Sequence, residues 1–66
     1  MRNNQMSAKG KLSFFRARQR QGDTHRIANN TGYSVSHVIN VIAGRRNVPE
    51  IMANEMYNIS RRRQVA

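Results

Sequence analysis

Residues 24–43 read THRIANNTGYSVSHVINVIA. Two short apolar patterns flank one glycine. Before it, Ile27 and Ala28 form the inward pair of a helix running from about Thr24 to Asn30. After it, Val38, Val41 and Ile42 recur at i, i+3 and i+4, which predicts a helix from Val35 to Ala43. Ser34 is placed to cap that helix, because a serine oxygen can accept one of the N–H groups left unpaired in a first turn. Gly32 suits the positive φ of a tight turn. Ala28, four residues earlier, has a side chain small enough for two helices to approach closely. Tyr33, Val38 and Val41 face Ile27 across that approach. Two short helices joined in this way make a helix-turn-helix arrangement.

The flanks extend the pattern. Residues 1–6, MRNNQM, are polar and aperiodic and read as a short arm. A first helix is expected to begin between Ser7 and Lys11 and to run to about Arg20, with Ser7 as its cap and Ala8, Leu12 and Phe15 on its apolar face. Gly22 suits the left-handed position that ends such a helix, and Asp23 suits the cap of the next. Downstream, Gly44 ends the Val35 helix, and Arg45, Arg46 and Asn47 form a basic loop. Val48 is extended before Pro49, and Pro49 and Glu50 belong in the first turn of a fourth helix. Met52, Met56 and Ile59 form its apolar stripe, serving either the monomer core or, in part, a homodimer seam. Arg61, Arg62 and Arg63 complement its negative end, and residues 64–66 fray. The fold class expected is therefore all-α: one compact bundle of about four short helices over residues 7–63.

Charge narrows the function. Twelve Lys and Arg oppose three acids, and ten of the twelve are Arg, giving a formal net charge of +9. Such an excess repels itself, so a polyanionic partner explains it better than solubility does. Absence of cysteine excludes disulfides and thiolate metal sites. His25 and His37, twelve positions apart with few acids to join them, make a poor metal site. Isolated acids and separated histidines also supply no nucleophile, base and orienter, so neither an enzyme nor a cofactor is expected. No apolar run approaches the roughly 20 residues of a membrane span, and the first ten residues lack a secretory apolar core. The expected location is the cytoplasm or nucleoid.

The segment resembles the helix-turn-helix of the phage repressor/Cro-like (XRE-type, lambda-repressor-like) family. With Thr24 as first motif position, Ala28 falls at the family's small position, Gly32 at its turn glycine, and Val38 and Val41 at its buried recognition-helix positions. The run AGRRNVP, residues 43–49, is similar to the family's basic loop. Thr31 stands where the family often has an apolar residue.

The resemblance implies double-stranded DNA as partner, with the N-terminal part of the Val35–Ala43 helix in the major groove. Ser34, Val35, Ser36, His37 and Asn40 are then the base-reading candidates. Asn40 can bond adenine N6 and N7 together, and Val35 either presses a thymine methyl or packs inward. Arg26, Arg45, Arg46 and Asn47 are the phosphate candidates, with Arg61, Arg62 and Arg63 as auxiliary nonspecific contacts. Phe14, Tyr33 and Tyr57 read as core or core-rim residues rather than stacking platforms. The function expected is sequence-specific regulation of phage or mobile-element type. Architectural DNA packaging, RNA binding and a protein-interaction module remain as rivals.

Overall fold

The computed structural model describes residues 6–63. The arm read over residues 1–6 lies outside the described residues except for Met6, and the frayed end over 64–66 lies wholly outside them. Among the described residues there are four α-helices and no strand: α1 (Ala8–Arg16), α2 (Asp23–Thr31), α3 (Val35–Ile42) and α4 (Glu50–Ser60). The all-α bundle expected from the sequence is the one observed.

Helix ends follow local chemistry. Ser7 Oγ accepts from the Gly10 N–H at 3.0 Å, and Ser34 Oγ from the His37 N–H at 3.0 Å, so both serines are N-caps. Gly32 (φ 84°) ends α2 and donates its N–H to the Ala28 carbonyl at 2.9 Å. Thr31 earns its place at the end of α2 through its hydroxyl. The hydroxyl donates to the Ile27 carbonyl one turn back at 2.7 Å and accepts from the Tyr33 N–H at 3.4 Å, so it ties the last turn of α2 to the turn that follows.

α2 gains Asp23 and Thr31 at its ends and α3 stops at Ile42, one residue before Ala43; four further boundary expectations are corrected. α1 stops at Arg16, not near Arg20. In a continuing helix the Phe14 carbonyl would accept the Arg18 N–H. Instead that N–H bonds Phe15 O at 2.9 Å, and Phe14 O takes Nη1 of the Arg18 side chain at 3.0 Å. The Arg18 guanidinium also lies 3.7 Å from the Phe14 ring centroid and donates through Nε to the Arg63 carbonyl at 3.2 Å. Gly22 (φ 91°) is the N-cap of α2, not the residue that ends α1. Asp23 is the first residue of α2, not its cap, and its carboxylate is committed elsewhere. Pro49 is the N-cap of α4 rather than a first-turn residue, while Glu50 keeps its first-turn place.

Leu12 and Phe15 of α1, Ile27 and Ala28 of α2, Val38 and Val41 of α3, and Met52 and Met56 of α4 form a single buried cluster. Tyr33, Val35, Ile42, Val48 and Ile59 pack around it. Met52 and Met56 are therefore core residues of one chain. Side-chain pairs set the helix directions. Lys11 Nζ donates to Asn54 Oδ1 at 2.6 Å, the Phe14 and Tyr57 ring centroids lie 5.2 Å apart, and Arg18 meets Arg63, so α1 runs parallel to α4. Asn30 Nδ2 donates to Glu55 Oε2 at 2.6 Å and Asp23 meets Arg63, so α2 runs antiparallel to it.

The Asp23–Arg63 pair closes this bundle. Arg63 Nη1 and Nη2 donate to the two carboxylate oxygens at 2.6 and 3.1 Å, and the Arg20 N–H donates to Oδ2 at 2.8 Å. Burial pushes the Asp23 carboxyl up, but hydrogen bonds from Arg63 and Arg20 and the charges of Arg63 and Arg26 outweigh it, so the net direction is down. Arg63 is shifted up by the same hydrogen bond. A carboxyl held below its unfolded value adds stability that is present above the ordinary carboxylate range and is lost as pH falls through the lowered value. Asp23→Asn should therefore cost about 2–3 kcal/mol near neutral pH. Urea unfolding at neutral pH and near pH 2.5 should show the gap between wild type and variant shrinking in acid; an equal gap at both would contradict the assignment.

Candidate nucleic-acid interface

α3 separates its residues cleanly. Val38 and Val41 are fully buried, and Val35 and Ile42 are half-buried against the core. Of the two readings open for Val35, it packs inward. Ser36, Ile39, Asn40 and Ala43 recur at i, i+3, i+4 and i+7 and form the outward stripe. Ile39, which is not among the base-reading candidates taken from the sequence, is 47% exposed on this stripe. The stripe periodicity itself was the signal that could have found it.

The basic loop folds back along this helix. Four candidates, His37, Arg45, Arg46 and Asn47, come together with Gly44 and Pro49 around an open concavity of about 530 Å³. His37 is held by Tyr33, with ring centroids 4.8 Å apart, and Tyr33 in turn packs on the core. Asn40 joins the group through one bond: Arg45 Nε donates to Asn40 Oδ1 at 2.8 Å. An arginine side chain has only donors, so the amide must turn its oxygen to Arg45 and leave its NH₂ pointing elsewhere.

Two cations not singled out in the sequence belong beside the loop. Lys9 and Arg16 of α1 line a second concavity, of about 280 Å³, with Arg46 and Asn47. They are seven residues apart, two helical turns, and so share a face of α1. Only the fold brings that face to the loop.

Other candidates go elsewhere. Arg26 does not reach the α3 face; it lines a concavity of about 500 Å³ with Asn58, Arg61 and Arg62. Arg63 is held by Asp23 rather than left on the surface with its two neighbours. Ser34 is exposed but spends its oxygen on the cap. Phe14, Tyr33 and Tyr57 are half-buried, at the rim of the core. Among the described residues, no three His, Cys, Asp or Glu side chains gather as a metal site, and no helix is long and apolar enough to cross a membrane.

Compared with family models, with curated proteins and with solved structures, the chain finds no match.

The cap of α3 positions the whole stripe. Ser34→Ala should cost about 1 kcal/mol of stability, read as a lower urea midpoint with an unchanged slope. A variant as stable as the wild type would show that the hydroxyl does not hold the helix start.

Proposed function

We propose that this protein binds duplex DNA through the outward stripe of α3, as a small sequence-specific regulator similar to phage repressor/Cro-like proteins. The observation that carries this reading is a polar-edged helix beside the basic α3–α4 loop, whose Arg46 and Asn47 share a further concavity with Lys9 and Arg16 of α1. α3 has eight residues and is about 12 Å long, and a helix is about 10–12 Å across, close to the width of a major groove. Ser36, Ile39 and Asn40 meet base edges in this reading, with the Ile39 side chain suited to a thymine methyl. Arg46, Asn47, Lys9 and Arg16 meet the flanking phosphates. The protein acts where the duplex is, in the cytoplasm or nucleoid.

Asn40 then reads differently from a free asparagine. Its oxygen is engaged by Arg45, so the edge offered to a base is the NH₂ donor. A donor matches purine N7 and guanine O6, whereas the paired adenine contact needs the oxygen as well. Arg45 thus acts on specificity through Asn40 rather than as a plain phosphate clamp.

Binding at fixed salt tests the reading. The best duplex from a random pool should be preferred over random duplex by at least about 10³-fold. With three cations on phosphates, Arg46, Lys9 and Arg16, log affinity should fall against log salt with a slope of about −2.7, steeper by about 0.9 for each further phosphate contact. Little preference among duplexes would favour an architectural protein, stronger binding to RNA an RNA-binding one, and no binding at low salt would end the proposal.

A mutational pair tests the Asn40 assignment. Arg46→Ala should weaken all sequences alike and make the salt slope shallower by about 0.9. Arg45→Ala should instead change the base selected at one position, toward adenine, as the Asn40 oxygen is freed. Identical behaviour of the two variants would rule out the Arg45–Asn40 division of labour.

A further inference from the structure

A second cluster of guanidinium groups lies away from the α3 stripe. Arg26 of α2 and Arg61 and Arg62, which follow α4, line one open concavity although 35 residues separate Arg26 from Arg61. All three are exposed. Among the described residues, none of the three side chains has a hydrogen-bond or ion-pair partner, in contrast to Arg18 and Arg63, which bond within the fold. Both nearby acids are already engaged. Glu55, which lines the concavity, accepts from Asn30 at 2.6 Å, and Asp23 is taken by Arg63.

Helix-dipole complementarity does not account for the cluster. Arg61 and Arg62 sit at the negative end of α4, where cations are favoured. Arg26, however, lies in the first turns of α2, near its positive end, where a cation is disfavoured. Three guanidinium groups from two segments, against the single Glu55 carboxylate whose charge the neutral Asn30 amide does not cancel, leave an excess of positive charge that a bound anion would relieve. The concavity has little apolar surface to recruit a protein, with Ile59 its one aliphatic side chain. Planar guanidinium forks match phosphate oxygens.

Position matters as much as charge. The α3 concavity reaches Pro49, at the start of α4, and this one reaches Arg61, at its end. Twelve residue steps at about 1.5 Å each put the two ends about 18 Å apart along one helix axis.

We infer that Arg26, Arg61 and Arg62 form a second phosphodiester-binding site, separate from the base-reading helix. The inference rests on the duplex reading above and extends it. The phosphates it takes belong either to the flank of the bound duplex or to another duplex segment, and the two sources separate experimentally.

The test uses the full chain and a triple variant, Arg26→Gln, Arg61→Gln and Arg62→Gln, with Arg26→Lys, Arg61→Lys and Arg62→Lys as the charge-retaining control. Circular dichroism verifies that both fold. Fluorescence anisotropy on a short duplex carrying one selected site measures the salt slope between about 50 and 200 mM. A bead assay measures capture of a labelled free duplex by an immobilised one. The Gln variant is expected to keep its base preference. A slope shallower by up to about 2.7 on the short duplex supports the site and assigns it to the flank. An unchanged slope with loss of bridging supports the site and assigns it to a second duplex. The Lys control should retain whichever property the Gln variant loses. A Gln variant equal to wild type in both assays overturns the second site alone. A wild type that binds no duplex overturns this inference together with the reading it rests on.

Discussion

The carboxylate of Asp23 is the joint on which the arrangement depends. It accepts from the backbone N–H of Arg20 and from both terminal nitrogens of Arg63, tying the turn before α2, the start of α2 and the chain after α4 into one knot. A domain of this size buries little surface, so a few well-satisfied polar bonds weigh heavily against chain entropy. With α2 fixed antiparallel to α4, the turn at Gly32 decides where α3 goes. The outward stripe of α3 is thus aimed by a bond that none of its own residues makes. α2 lacks a side-chain cap because its N-cap residue is Gly22, while the carboxylate of the neighbouring Asp23 holds Arg63.

The same economy explains how so basic a chain folds. Some cations are absorbed: Arg18 lies on Phe14 and bonds two carbonyls, and Arg63 holds Asp23. Others converge without an internal acceptor among the described residues: Arg46, Lys9 and Arg16 beside the loop, and Arg26, Arg61 and Arg62 at the end of α4. Their mutual repulsion opposes the folded state, and a polyanion that binds only the folded form would relieve it. In the proposed reading, folding stability and DNA binding are therefore coupled through these groups: salt screens the repulsion within the free chain and weakens the stabilisation that the duplex supplies.

Much of the fold could be read from single residues, because it is specified locally. Ser7 and Ser34 announce helix starts, Gly32 and Gly44 the turns that follow α2 and α3, and the spacing of Val38 and Val41 the buried face of α3. What could not be read is specified by partners far along the chain. Nothing near Arg16 in the sequence shows that Arg18, just past the end of α1, bonds the carbonyl of Arg63, 45 residues away. Asp23 looks like a helix cap until Arg63, 40 residues on, is seen to claim it. In the candidate site, Arg45, Arg46 and Asn47 are neighbours in sequence and stand out as a basic loop, whereas the meeting of His37 with that loop is set by the fold. Lys9 and Arg16 required the packing of α1, and Ile39 its exposure on the outward stripe.

The core holds a built-in chemical clock. Met52 and Met56 have no solvent-accessible surface, while Met6 is 38% exposed. A thioether is oxidised to a sulfoxide only where the oxidant can touch sulfur. Met6 is therefore open to peroxide in the native molecule, whereas the two core thioethers react only when the bundle opens. Once oxidised, they become polar groups that the apolar interior cannot reaccommodate without loss. Each opening in an oxidising medium thus leaves a lasting chemical record, and the chain carries its own exposed reference alongside.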